Sequence, residues 1–245
     1  MNTLIKKIVK RLLAKRGLAI IGIRQSYMSA EETIAAANRE RLSVCDYVEK
    51  VWNQEGCTQM VIDRMSSCGA FAATNPNILE IGPGTGRYLE KVLENCNPAK
   101  YEIYEPLDDW VNWLRSKYPI TSHQADGETL WQTSDKSVNL VHSHGVFVYI
   151  PFLIAYGYFK EIWRVTADEG IVVFDIFSED CFDEALIDKW LSSTYRYVCF
   201  LSKSYIVSQF AKHNFRLLTT FKNKHGAGHS EYLVFIKSDD KAVVE

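Results

Sequence analysis

The sequence predicts an α/β fold in which a mostly parallel sheet ends in two antiparallel strands and is preceded by a helical cap. Three observations predict it. The first 70 residues carry only helical patterns, and short apolar strands then alternate with amphipathic helices from about residue 75. The last two strand-like segments, 215–221 and 231–237, have no helix between them, so we expect them to pair antiparallel. The predicted division is a cap over residues 1–74 and a core domain over residues 75–240.

The composition fits one soluble domain with an extension. The chain has 245 residues, of which 47% are apolar and 24% charged, which is enough apolar material for a full core. A formal net charge of -2 argues against a protein whose main task is to bind nucleic acid. The six cysteines include no Cys-x-x-Cys pair, so we expect reduced, buried thiols and a cytoplasmic protein.

The segment from Met1 to Arg24 is basic and amphipathic. It holds seven basic residues and no acidic one, and its apolar residues recur at helical spacing. A membrane span needs about 20 apolar residues, and no uncharged run here approaches that length. The pattern is also a poor secretory signal, because no small-residue cleavage site follows. Two interpretations stay open: peripheral contact with an anionic membrane surface, or packing of the apolar stripe on the domain.

Three helices are predicted in the rest of the cap. Ser29 and Glu32 have capping-box spacing, which predicts a helix from there to about Arg41. Ser43 is the expected cap of a second helix that runs to about Gln54 and is ended by Gly56. A third is expected over Thr58–Ser67.

Seven strands are predicted in the core domain. They are 78–81, 101–105, 120–124, 138–143, 170–177, 215–221 and 231–237, with a nine-residue loop over 222–230 between the last two. A helix is expected over Arg87–Asn95, directly after the first strand and its glycine loop.

The loop Gly82-Pro83-Gly84-Thr85-Gly86 lies between that strand and that helix. Glycines there permit left-handed backbone and let a ligand approach the main chain beside the free amides of the helix start. Dinucleotide-binding folds place a pyrophosphate at Gly-x-Gly-x-x-Gly. Here the spacing is Gly-x-Gly-x-Gly and an acidic residue, Glu80, precedes it, which favours a ligand with a cationic end.

Two further acidic residues follow strands. Glu105 ends the second strand, where a carboxylate can accept hydrogen bonds from both hydroxyls of a ribose. Asp126, followed by Gly127, comes after the third strand, where a short acidic side chain can reach an adenine amino group. The alternative interpretations are a surface glutamate before Pro106 and an ordinary Asp-Gly turn.

These motifs resemble those of the class I S-adenosylmethionine-dependent methyltransferases, over roughly residues 75–240. The resemblance implies a Rossmann-like sheet of seven strands whose last strand inserts antiparallel between the fifth and sixth. It implies S-adenosylmethionine as cofactor, held by Glu80, Gly82, Gly84, Gly86, Glu105, Asp126, Gly127 and His144. The stretch from Val138 to Phe147 resembles the family's fourth motif. It lacks the Asn-Pro-Pro-Tyr or Asp-Pro-Pro-Tyr of nucleic-acid base methyltransferases, so a nucleic-acid substrate is not expected.

The acceptor side is expected beyond the carboxyl ends of the strands. That places His144, Phe147 and Tyr149 after strand four and Asp175 after strand five near the methyl group, and brings His225 and His229 to the same rim in the loop after strand six. His144 and His229 are the catalytic candidates, as base or acceptor-orienting groups; the alternative for each is a residue that only shapes the pocket. His142 is expected to be structural. No metal is expected, because no carboxylate pair at ligand spacing accompanies His142 and His144.

The function expected from the sequence is O-methylation of a sugar, a cell-surface glycan or another small hydroxylated acceptor. It is expected in the cytoplasm, with peripheral contact to the inner membrane face through residues 1–24 as an option. Three alternatives stay open: methylation of a soluble secondary metabolite, a non-catalytic binding protein with the same fold, and a nicotinamide-dependent oxidoreductase. Neither the acceptor atom nor the oligomeric state can be predicted.

Overall fold

The computed structural model describes residues 29–193 and 198–238. Their centre is a seven-stranded sheet with strands β1 Asn77–Ile81, β2 Lys100–Tyr104, β3 Thr121–His123, β4 Val138–Ser143, β5 Thr166–Ile176, β6 Phe215–His225 and β7 Gly228–Lys237. The strand order is β3-β2-β1-β4-β5-β7-β6. Strands β1 to β5 are parallel to one another, and β7 is antiparallel to both β5 and β6. The predicted Rossmann-like sheet with an inserted antiparallel last strand is therefore confirmed.

Eight α-helices are found in the described part of the chain. They are α1 Ala30–Glu40, α2 Val44–Trp52, α3 Cys57–Ser67, α4 Arg87–Asn95, α5 Asp108–Lys117, α6 Phe152–Val165, α7 Glu184–Ser192 and α8 Lys203–Lys212. Helix α4 has the predicted bounds. The predicted helix within residues 1–24 lies outside the described residues, and the division of the chain at residue 74 stays a prediction.

The cap helices begin where their sequence signals indicate. The hydroxyl of Ser29 accepts a hydrogen bond from the backbone amide of Glu32, and that of Ser43 from Asp46. Helix α2 ends at Trp52, two residues before the predicted end. The cap is tied to the sheet domain by Asp109 of α5, whose carboxylate accepts a hydrogen bond from the amide of Ala30 at 2.9 Å.

The core has two halves, one on each side of the sheet. One side is covered by α3 and α4, with Met65 and Leu89 among the buried residues. The other is covered by α6 and α8, with Phe159 and Phe210 at its centre. Because neighbouring residues of a strand point to opposite sides, each strand contributes to both halves, which is typical of a sheet covered on both faces.

Three predicted strand boundaries are wrong by more than two residues: the start of β5, the end of β6 and the start of β7. Strand β5 begins at Thr166 rather than residue 170, although Glu169 within it has a positive φ of 61°. The predicted loop 222–230 does not exist: β6 continues to His225 and β7 begins at Gly228, so only Gly226 and Ala227 form the turn. The polar residues of this hairpin end hide the alternation that identifies a strand. Gly226 is required there, since its φ is +52° and a Cβ would lie 2.5 Å from the ring of Trp190.

All six cysteines lie in the described segments and are free thiols. Cys45, Cys57 and Cys181 are buried, and the other three are partly exposed. No helix of the described residues is long and apolar enough to cross a membrane.

Candidate active site

The glycine loop leaves an open space beside its middle glycine. A Cβ on Gly82 would lie 2.6 Å from Val146 and one on Gly86 would lie 2.5 Å from Leu114, so protein packing requires both glycines. A Cβ on Gly84 would meet no atom of the described residues within 4 Å. All three have positive φ, and Gly86 directly precedes α4. The loop therefore holds its backbone open at Gly84, next to a helix start, as a bound cofactor requires.

Glu105 lies directly after β2 and faces this loop. Its carboxylate accepts hydrogen bonds from the amide of Gly84 at 2.9 Å and from that of Leu107 at 3.1 Å. Burial raises the pKa of this carboxyl, and the two amides act against that rise. The carboxylate is thus fixed beside Gly84, where the ribose of the cofactor is expected.

Asp126 lies in an exposed turn with Gly127, whose φ is +84°. Its carboxylate accepts hydrogen bonds from the amides of Glu128 and Thr129 and from the Thr129 hydroxyl. The side chain therefore shapes its own turn, as in the alternative interpretation. Contact with an adenine amino group stays a prediction.

Glu80 begins a chain of hydrogen bonds inside the fold. It is 1% exposed, and the hydroxyl of Tyr101 donates to its Oε2 at 2.8 Å. The same hydroxyl lies 2.8 Å from Nε2 of His142, and Nδ1 of His142 lies 3.0 Å from Nε2 of His144. Nδ1 of His144 lies 3.2 Å from the Tyr232 hydroxyl, which in turn lies 3.3 Å from that of Tyr88. We call these six side chains the buried chain: Glu80, Tyr101, His142, His144, Tyr232 and Tyr88.

His144, a predicted catalytic residue, has a protein partner on each ring nitrogen. Its ring also stacks on that of Tyr88, with centroids 3.6 Å apart. Burial lowers its pKa well below 6.5, with help from His142 and Arg87, so its imidazole is neutral near pH 7. A direct role as base would require one of its two hydrogen bonds to break. His142, expected to be structural, is fully buried, and burial lowers its pKa to about 3.

Three side chains of the buried chain have metal-ligand chemistry. Ligand atoms of Glu80, His142 and His144 lie within 4.8 Å of one another. The sequence did not place a carboxylate beside the two histidines, whereas parallel pairing of β1 with β4 sets Glu80 opposite His142. We interpret the group as hydrogen-bonded, because the two facing histidine nitrogens are partners and the tyrosines occupy the outer ones.

A second polar group lies at the carboxyl ends of β4 and β5. Oδ1 of Asp175 accepts a hydrogen bond from the amide of Gly145 at 2.7 Å, and Oδ2 lies 3.9 Å from Nδ1 of His225. Nε2 of His225 lies 2.6 Å from the hydroxyl of Tyr149, which is 36% exposed. The fold thus brings together Asp175, His225 and Tyr149, three predicted residues from distant parts of the chain. We call them the rim triad.

The electrostatics of the rim triad suit proton acceptance. Burial lowers the pKa of His225, Asp175 raises it and Arg87 lowers it, so the net shift is downward and the imidazole is neutral near pH 7. At 3.9 Å Asp175 acts on His225 through its charge rather than through a hydrogen bond, and Nε2 lies against the Tyr149 hydroxyl. A neutral imidazole beside a carboxylate has the chemistry of a general base.

Two other predicted residues lie elsewhere. Phe147 is fully buried in the core, packed against Phe159 and Phe174, and so does not face the acceptor. His229 lies in β7 opposite Lys224, whereas His225 is opposite Gly228. Since alternate residues of a strand face opposite sides, His229 points away from the rim triad, into a cleft with Lys189 and Lys222. Its catalytic role stays a prediction that this geometry does not favour.

Arg87 was not recognised from the sequence. It follows Gly86, and its guanidinium lies 4.8 Å from the ring centre of Tyr88 and donates to the Thr58 hydroxyl at 3.2 Å. It lowers the pKa of both His144 and His225, so its charge acts on the buried chain and on the rim triad. The signal available in the sequence was its place directly after the glycine loop.

Comparison with protein families identifies the domain. A family model described as "Methyltransferase domain" matches residues 52–220. No curated protein matches the sequence.

Solved structures share the fold at low sequence identity. A chain of the complex formed with the Trm112 methyltransferase activator of Haloferax volcanii is 12% identical, with a TM-score of 0.60 over 86% of this chain and 99% of that one. Magnesium protoporphyrin IX methyltransferase of Synechocystis, solved with bound S-adenosylhomocysteine, is 10% identical, with a TM-score of 0.58 over 95% and 100%. An S-adenosylmethionine-dependent methyltransferase of Aquifex aeolicus is 12% identical, with a TM-score of 0.54 over 79% and 98%.

Proposed function

This chain belongs to the methyltransferase-domain family, and we propose that it transfers the methyl group of S-adenosylmethionine to a hydroxyl oxygen of a small acceptor, preferably a sugar of a cell-surface glycan. It is an S-adenosylmethionine-dependent methyltransferase of class I. The choice of a hydroxyl oxygen rests on the rim triad.

The rim triad suits an acceptor that must lose a proton. Bound S-adenosylmethionine supplies an activated methyl group, and a hydroxyl loses its proton as its oxygen forms the new bond. Nε2 of His225 can take that proton, either directly or through the hydroxyl of Tyr149. The resulting imidazolium is stabilised by Asp175, which is 1% exposed and therefore poorly screened by solvent. An acceptor that loses no proton would not need this arrangement.

Exposed apolar side chains three and four residues after Tyr149 support a sugar or another acceptor with an apolar face. Phe152 and Leu153 are exposed at the start of α6, and Tyr205 of α8 contacts Phe152 with ring centres 5.7 Å apart. Aromatic faces with a polar neighbour suit ligands that present one apolar face and several hydroxyls. The same surface also suits a soluble phenolic metabolite, which is the second candidate acceptor.

Location at the inner face of the membrane is also a proposal. It rests on the seven basic residues of the first 24 and the absence of acidic ones, which favour anionic lipid. Co-sedimentation of the full chain with phosphatidylserine vesicles tests it. A variant with Lys6, Lys7, Lys10 and Arg11 changed to Gln should lose binding, whereas equal binding by both proteins would refute the proposal.

The enzymatic proposal is tested by an acceptor screen. Purified protein is incubated with S-adenosylmethionine and a panel of methyl glycosides and small phenols, and products are sought by mass spectrometry as a gain of one methyl group that resists mild alkali. His225→Gln should lose product formation, and His213→Gln, at an exposed histidine stacked on Trp163, is the matched control. Methylated phenols without methylated glycosides would favour the metabolite. Methylation only at nitrogen or carboxylate groups would refute O-methylation.

A further inference from the structure

The buried chain admits two alternative sets of hydrogen bonds. Each tyrosine hydroxyl and each neutral imidazole carries one proton to share along the chain. If Glu80 is ionised, Tyr101 donates to it, so the oxygen of Tyr101 must accept from the Nε2 proton of His142. Each choice then dictates the next along the chain.

The remaining contacts follow in order. Nδ1 of His142 carries no proton and accepts from Nε2 of His144, and Nδ1 of His144 accepts from the Tyr232 hydroxyl. The oxygen of Tyr232 then accepts from Tyr88. If Glu80 is protonated and donates to Tyr101, every bond reverses: both histidines carry their proton on Nδ1, Tyr232 donates to Tyr88, and the Tyr88 hydroxyl keeps its proton but directs it to a group outside the chain.

We propose that Glu80 is a positioning residue, which acts through the buried chain to set the tautomer of His144 and the direction of the hydroxyls of Tyr232 and Tyr88. The two states differ by one proton. When a proton enters at the oxygen of Tyr88, each member passes its own proton to the next, and one proton arrives at Glu80. The end of the chain beside Glu105 is thereby linked to the end beside Asp175. Only the assumption that the acceptor binds beside Asp175 rests on the proposed function.

The surroundings make Glu80 the member that titrates. The charged groups facing the chain are Glu105 beside Glu80, and Arg87 and Asp175 beside Tyr88 and Tyr232; the thiols of Cys96 and Cys57 lie near the tyrosines. Burial raises the pKa of Glu80 from 4.5 to about 8, opposed by the hydrogen bond from Tyr101 and assisted by Glu105. Burial lowers the pKa of both histidines far below neutrality, so they stay neutral while Glu80 changes charge.

Nitrogen NMR of the histidine rings tests the proposal without any acceptor. The full-length protein, labelled with 15N-histidine, is titrated from pH 6 to 10. His142 and His144 should both change from Nδ1–H to Nε2–H as the pH rises, with one shared midpoint near 8, and neither should become an imidazolium. His213 lies outside the buried chain, and burial and Lys237 lower its pKa, so it is the reference for a histidine that titrates independently of Glu80.

Two variants and a control distinguish coupling through the buried chain from a merely structural role of Glu80. Glu80→Gln should make both tautomers independent of pH. Tyr101→Phe should cut the chain, so that the carboxyl of Glu80 still titrates in 13C spectra but the histidines no longer follow it. Tyr104→Phe is the control, because it removes a hydroxyl from the same strand that is hydrogen-bonded to Thr133 rather than to the buried chain. It should leave the shared tautomer change of His142 and His144 intact.

Three outcomes would overturn the proposal. They are separate midpoints for the two histidines, an unchanged shared transition in Glu80→Gln, and a stoichiometric metal ion in the purified protein that is lost in His142→Gln. A failed glycan screen would not alter any of these readings, so the two proposals can fail separately.

Discussion

Gly84→Ala is expected to abolish tight binding of S-adenosylhomocysteine at a small cost to the fold. The backbone at Gly84 has φ +53°, and within residues 29–193 and 198–238 a Cβ there would meet no atom within 4 Å. The fold therefore bears only the cost of a left-handed alanine, about 1–2 kcal/mol. In a chain of this size each kcal/mol lowers the melting temperature by about 2–4 °C.

The same methyl group would occupy the space that the glycine loop keeps open for the cofactor. A loss of about 1.4 kcal/mol in binding is a tenfold weaker affinity, and we expect at least that. Gly86→Ala should instead damage the fold more than Gly84→Ala, because its Cβ would lie 2.5 Å from Leu114 at a φ of +80°.

Calorimetric titration with S-adenosylhomocysteine and thermal unfolding of the same samples measure the two effects. Gly56→Ala is the matched control, since Gly56 also has a positive φ, +81°, and open space around a Cβ, but lies before α3 in the cap. It should lose similar stability and bind the ligand normally. If Gly84→Ala binds within threefold of the wild type, the assignment of this space to the cofactor is wrong.

Three further predictions follow from buried charged groups. Asp175→Asn should lower the pKa of His225, because Asp175 raises it, and should reduce the rate of methyl transfer by at least about a hundredfold. Ring-proton NMR measures the pKa, and initial rates measure the transfer. An unchanged pKa of His225 would contradict the prediction. Lys237→Met should lower the free energy of unfolding, measured by urea denaturation, by about 2 kcal/mol. The reason is that Nζ of Lys237 donates to the buried carbonyls of Trp163 and Thr166. Lys212→Met, at an exposed lysine, should change the free energy of unfolding little. Because the pKa of Glu80 is raised from 4.5 to about 8, the folded protein retains a proton that the unfolded chain releases between those pH values. The free energy of unfolding should therefore fall as the pH rises from about 5 to 8. Glu80→Gln should remove this slope, and equal slopes for both proteins would argue against the raised pKa.

Features set by local sequence were predictable. The capping serines Ser29 and Ser43, the glycine loop and the helix after it each depend on neighbouring residues, and the structure confirms their positions. The end of the hairpin was missed because Lys222 to His225 show no apolar alternation. There the strand is held by pairing with β7 and by Trp190 packed beneath Gly226, neither of which is visible in a local pattern.

The candidate site was predictable as a region but not as a set of contacts. The rule that ligands lie beyond strand ends selected Asp175, Tyr149 and His225, which the fold brings together. It also selected Phe147, because it cannot tell which residues after a strand turn back into the core. The buried chain could not be predicted, since Tyr101 meets His142 only through the pairing of β2, β1 and β4, and Tyr232 joins from β7.

The two histidines at the strand ends differ in what remains available on their rings. His144 has a hydrogen-bond partner for each nitrogen inside the protein, whereas in the described part of the chain Nε2 of His225 has its hydrogen bond with Tyr149, a side chain that is 36% exposed. A hydroxyl acceptor that approaches His225 would compete with one hydrogen bond at the surface, but it could reach a nitrogen of His144 only by breaking the buried chain. It follows that His225→Gln should act on the rate of methyl transfer. His144→Gln should instead change how the protein responds to the protonation of Glu80. Binding of S-adenosylhomocysteine, measured at pH 6.5 and 9, can detect this change separately from the rate.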